Sequence, residues 1–61
     1  MVGRRYAISG YLDSSFLVLR VWGEGWNQKA LIDHGWGREV VWASTIEHRL
    51  ATGQLVGVTL A

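Results

Sequence analysis

With 61 residues, a net charge of +1 and no cysteine, this chain is one small domain without disulfides or thiolate zinc sites. A domain so short buries only about 60% of the surface its unfolded chain exposes, and small scaffolds usually need an extra stabilising device. The two histidines do not suggest a structural metal, so with 49% hydrophobic residues the expected device is self-association or a partner.

Six basic and five acidic residues are dispersed along the chain, and Arg4-Arg5 is the one adjacent pair of like charge. A nucleic-acid binder normally announces itself by a clustered basic patch, and none is visible in the linear order. No apolar run approaches the ~18 residues of a membrane span. The stretch after Arg4-Arg5 does not read as the apolar region of a signal peptide. The expected location is cytoplasmic, with no membrane partner and no cofactor.

The first strand is expected over 4–12, where Tyr6, Ile8 and Leu12 alternate with Arg5, Ala7, Ser9 and Tyr11. Gly10 suggests a bend within it, and Asp13-Ser14-Ser15 reads as the following turn. The strongest strand spans 15–22. Unbroken alternation puts Leu17, Leu19 and Val21 on one face and Phe16, Val18, Arg20 and Trp22 on the other. A strand apolar on both faces is covered twice or offers one side to a partner.

Gly23-Glu24-Gly25 allows a tight reversal. A third strand follows over 28–34, with Ala30 and Ile32 facing one way and Lys29, Leu31 and Asp33 the other. Gly35-Trp36-Gly37 turns the chain again. A fourth strand over 38–43 places Val40 and Trp42 on one side, Val41 and Ala43 on the other. Ser44 with Glu47 matches a capping box and predicts a helix over 45–51, with Ile46 and Leu50 as its apolar stripe. Gly53 is suited to the left-handed position after its last turn. The last strand is expected over 54–60, with Val56, Val58 and Leu60 on one face.

Four meandering strands, a short helix and a fifth strand returning to the first resemble the element order of an SH3-like barrel. The expected fold is therefore all-β, a five-stranded SH3-like barrel forming one domain over 1–61. The opening and terminal motifs of peptide-binding SH3 domains are absent, so the resemblance covers architecture alone. An OB-like barrel fits less well, since its helix falls between the third and fourth strands. An open sheet that pairs across a dimer is the rival.

Asp33-His34 and Glu47-His48 are acid–histidine neighbours, but adjacent strand residues point to opposite faces, so Asp33 would not orient His34. No spacing joins a base to a nucleophile and an orienting group. The two Gly-x-Gly turns lack the third glycine and the helix of a dinucleotide site. The chain reads as non-catalytic.

All four tryptophans lie between 22 and 42, and a core this small does not surround four. Interfaces concentrate tryptophan and arginine at their energetic centres. Trp22, Trp26, Trp36, Trp42, Arg20, Arg38 and Phe16 are the candidate partner-binding residues. The turn residues Trp26 and Trp36, with Arg20 and Arg38 beside them, are the sharpest choice. The first expectation is a protein partner: self-association as a dimer or larger, an adaptor, or a small inhibitor of a larger machine. The alternative is a regulatory nucleic-acid-binding barrel, in which the rings stack on bases and Arg4, Arg5, Arg20, Lys29 and Arg38 meet phosphates. Glu24, Asp33 and Glu39, interleaved with those cations in the chain, weigh against it.

Overall fold

Ser9-Gly10 forms the first reversal, with Gly10 at φ 86°, and the chain turns there instead of continuing to Leu12. The first strand is thus short, β1 (Arg5–Ile8), and the second is long, β2 (Tyr11–Trp22). Asp13, Ser14 and Ser15, expected as the turn, lie within β2. The reason is physical: Gly10 accepts a positive φ without strain, whereas Asp-Ser-Ser needs local side-chain hydrogen bonds to hold a turn. Ser15 instead accepts a hydrogen bond from Arg5 Nη1 at 3.4 Å.

The computed structural model describes residues 1–59, so Leu60, the expected end of the last strand, lies outside the described residues. Beyond β2 come a 3-10 turn (Gly25–Asn27), β3 (Lys29–Asp33), β4 (Arg38–Trp42), α1 (Ala43–Ala51) and β5 (Leu55–Val58). The strands form one antiparallel sheet in the order β4-β3-β2-β1-β5. The fold is mainly β, with one short helix before the last strand, and β5 does return to β1. Among the described residues no ladder joins β4 to β5, so these two are the sheet's outer strands.

One irregularity decides which side chains are inside. Val18 pairs with Ile32 and Arg20 with Leu31, so β2 carries one extra residue between them. Such a bulge breaks the alternation of the strand. Before it, Phe16 and Val18 point inward and are buried; after it, the inward residue is Val21, opposite buried Ala30. Phe16 and Val18 therefore belong to the core and not to the opposite face where unbroken alternation would put them.

The core joins Tyr6, Phe16, Val18, Ala30, Ile32 and Leu55 to Ile46 of α1, with Leu50 and Val41 packed against them. Each buried aliphatic or aromatic side chain contributes about 1.5–3 kcal/mol. In β5 the inward residue is Leu55, so Val56 and Val58 face the other side of the sheet. The helix begins earlier than its expected capping box. Trp42 is the N-cap without a side-chain bond, and Ser44 lies in the first turn. The Ala43 amide bonds the Gln28 carbonyl at 3.0 Å, fastening the helix start to the sheet without a serine cap. At the far end Gly53 adopts φ 80° and donates to the Leu50 carbonyl at 3.3 Å, as expected of a left-handed terminator.

Gly23 has φ 95°, and a Cβ there would stand 2.8 Å from the Asn27 carbonyl oxygen. Gly37 has open space around it and no positive φ. Gly23→Ala is expected to lower unfolding free energy by about 1–3 kcal/mol, whereas Gly37→Ala leaves it nearly unchanged. Urea melts of the two variants beside the parent check this; equal midpoints would refute the conformation at Gly23.

Candidate functional site

Because α1 covers one face of the sheet, the other is left to solvent. Strand register places its side chains in rows. Trp22, Lys29 and Trp42 stand opposite one another on β2, β3 and β4. Strands are spaced ~4.8 Å apart, so two indole rings flank one lysine at roughly 10 Å. The next row holds Arg20, Leu31 and Val40. A third crosses all five strands as Val58, Arg5, Leu17, Asp33 and Arg38.

The rings are available. Trp22 is 36% exposed and Trp42 49%, and Val40 in the next row is 53% exposed. Arg20 lies over the Trp22 ring at 5.7 Å from Cζ to centroid, and Lys29 over Trp42 at 5.3 Å from Nζ. A cation over an indole face is held by the ring quadrupole. Each tryptophan of this face thus carries its own positive charge.

Across these rows stand four cations, Arg5, Arg20, Lys29 and Arg38, against one carboxylate, Asp33. That carboxylate is already engaged. Its Oδ1 accepts the Gly35 amide at 2.8 Å, and its Oδ2 is 3.8 Å from Arg38 Nε. The other acids that interleave with the basics in sequence are elsewhere. Glu39 pairs with Ile32 and faces the helix side, Glu24 is in the turn after β2, Glu47 is on α1, and Asp13 is exposed near the start of β2, outside these rows. Alternation across the sheet separates charges that the linear chain mixes.

The remaining candidates do not join this face. Phe16 is in the core, so it is corrected from contact residue to structural residue. Trp36 is 83% exposed at the β3–β4 turn and stacks on His34 with centroids 4.7 Å apart and planes 8° from parallel. His34 in turn meets the edge of Phe16, on the helix side. Trp26 is 90% exposed in the 3-10 turn. Arg20 accompanies Trp22, and Arg38 accompanies Asp33, so neither is the immediate partner of a turn tryptophan. The tryptophans therefore divide into a pair on the open face and two separate turn residues.

On the helix side, Phe16, Ile32 and Ile46 floor a cleft of about 180 Å³ rimmed by His34, Glu39 and Arg49. His34 Nε2 is buried without a hydrogen-bond partner, 3.8 Å from Glu39 Oε2. Asp33 turns away from His34 to the open face, as strand alternation requires. Lys29, expected from the sequence only as a phosphate contact of the nucleic-acid alternative and not as a partner-binding residue, stands on this face. Its signal was present in the shared face of Lys29 and Leu31, but the row that seats it between two indoles depends on pairing.

Phe16→Ala is expected to cost about 3–5 kcal/mol, enough to unfold much of so small a domain. Trp22→Ala and Trp42→Ala should each cost under about 1 kcal/mol, since only a cation–ring contact and partial burial are lost. Thermal melts followed by far-ultraviolet circular dichroism separate the two classes; a strongly destabilised Trp42→Ala beside an intact Phe16→Ala would invert the assignment of faces. Comparison with protein-family models, with curated proteins and with solved structures finds no match to this chain.

Proposed function

We propose that the chain is a non-catalytic binding module, that its working surface is the open sheet face, and that the ligand is a single-stranded nucleic acid. One observation carries this reading: two exposed indole rings, each with its own cation, lie in three cross-strand rows that hold four cations and one already engaged carboxylate. Base–aromatic stacking supplies sequence-tolerant affinity, while flanking cations follow the backbone. Trp22 and Trp42 are the stacking platforms. Arg20 and Lys29 are the phosphate contacts next to them.

The same geometry weakens self-association through this face. A two-fold dimer would bring the patch against itself, and like charges would meet across a surface with few acids to pair them. A protein partner with an acidic surface is the second reading. It is favoured by Leu17, Leu31 and Val40, apolar residues in the rows between the charges. Such an interface would gain its affinity from apolar anchors and respond weakly to salt.

Fluorescence anisotropy with a labelled oligothymidylate of twelve nucleotides tests the choice. For about three phosphate contacts, log affinity should fall against log salt with a slope of about −2, given ~0.7 per contact on a single strand. Arg20→Gln or Lys29→Gln should flatten that slope by about 0.7 each. Trp22→Ala or Trp42→Ala should weaken binding by about 1–3 kcal/mol without changing the slope. No binding to any single-stranded oligonucleotide at low salt would remove this reading in favour of the acidic protein.

A further inference from the structure

The open face does not end at the tryptophans. At its β1–β5 side lies a cleft of about 510 Å³, between the N-terminal turn and β5. Its lining includes Arg4, Arg5, Leu17, Val58 and Thr59, and contains no acid. Arg5 projects from the five-strand row into this lining. Its Nη1 is tied to Ser15 Oγ at 3.4 Å, yet its Nε is buried with no hydrogen-bond partner.

A guanidinium keeps its charge in proteins and offers five N–H donors with no acceptor. Because Nε is shielded from solvent, an incoming oxyanion meets this guanidinium through its Nη donors, which Ser15 only partly occupies. The fork geometry suits an oxyanion with two oxygens on one centre, such as a phosphate diester. Arg4, exposed at the same cleft, adds a second cation. Leu17 and Val58 supply apolar walls.

We infer that this cleft is a phosphate seat for the same single strand whose bases stack on Trp22 and Trp42, with Arg5 as the bidentate contact and Arg4 as its neighbour. The inference rests on the nucleic-acid reading of the open face. Its position fits that role. Leu17, at the cleft, and Trp22 are five residues apart on β2. At ~3.3 Å per residue the separation is roughly 17 Å, or about five nucleotides at the ~3.4 Å rise of a stacked strand. A strand that long would cross the face from the cation at β1 to the rings at β2 and β4.

Two oligothymidylates separate the seat from the stacking surface: one with the natural backbone and one with uncharged methylphosphonate links. Arg5→Gln is expected to weaken the natural oligonucleotide about tenfold, near the low end of a charge-assisted hydrogen bond, and Arg4→Gln about threefold, as for an exposed charge contact. Neither change should alter binding of the uncharged oligonucleotide, which keeps its bases. Nitrogen-15 spectra of the parent protein should also show the Arg5 Nε–H resonance moving as inorganic phosphate is added. This readout needs no variant, so it stands even if Arg5→Gln does not fold. Natural oligonucleotide binding untouched by either arginine change would overturn the seat while leaving the stacking surface intact. Equal losses for both oligonucleotides would overturn it too, because they would show a damaged fold. Phosphate shifting Arg5 with no oligonucleotide binding would support an anion seat and remove the nucleic-acid reading. No shift with phosphate and no effect of Arg4→Gln would overturn the seat outright.

Discussion

Between Val18 and Arg20 the ladder of β2 gains one residue over its partner, and the two faces of the strand exchange roles there. Every later feature of the site depends on that exchange. Upstream of it Phe16 and Val18 reach the helix; downstream Arg20 and Trp22 point away from it. Without the extra residue, a strand with Phe16 and Val18 inside would turn Arg20 and Trp22 inside as well. A buried guanidinium without a partner is far more costly than a lost ladder bond. The bulge thus lets one strand serve a core at its middle and a charged aromatic surface at its end.

The second consequence concerns charge. Along the chain, cations and carboxylates are interleaved closely enough to look neutral, as where Arg38 precedes Glu39. A sheet sorts neighbours to opposite faces, so adjacency in sequence becomes separation in space. Arg38 goes to the open face and Glu39 to the helix side. A net charge of +1 therefore coexists with one strongly basic face. Net charge governs long-range solubility and steering, whereas a ligand at contact distance meets the local field.

Much of the fold was legible because it rests on short-range rules. The helix before the last strand, its Gly53 terminator, the inward Ala30 and Ile32, and the outward Val40 and Trp42 all follow from local periodicity or glycine conformation. What was hidden depends on pairing between distant residues. Nothing local marks an extra residue at Leu19, a β-rich stretch in which either parity buries apolar side chains. The first turn was misplaced for a related reason, since Ser9-Gly10 and Asp13–Ser15 both carry turn-forming residues and only the pairing of Ile8 with Tyr11 chooses between them. The site was legible in kind, as exposed tryptophan beside arginine, but not in membership. Strand register moved Phe16 to the core and seated Lys29, until then only a phosphate contact of the alternative reading, between two indoles.

Size explains why such a face exists at all. Among the described residues one nine-residue helix is the only α-helix available to lie over a five-stranded sheet, and it covers one side. A larger domain would place further helices or a second sheet on the other side and bury its aromatic residues there. Here the uncovered face must be soluble, which its cations provide, yet it retains indole and aliphatic surface. That combination leaves apolar ring surface in water beside its cations, and the guanidinium of Arg5 has no acceptor for its buried Nε. The proposed ligand, a polyanion carrying flat apolar groups, would set bases beside the rings and phosphates beside the cations. An acidic protein answers the charge equally well but offers planar groups only where its own aromatic residues happen to lie. The spacing of Trp22 and Trp42 around Lys29 is set by the strands themselves, which makes the face a rigid template and favours a ligand with a repeating unit over one with an irregular surface.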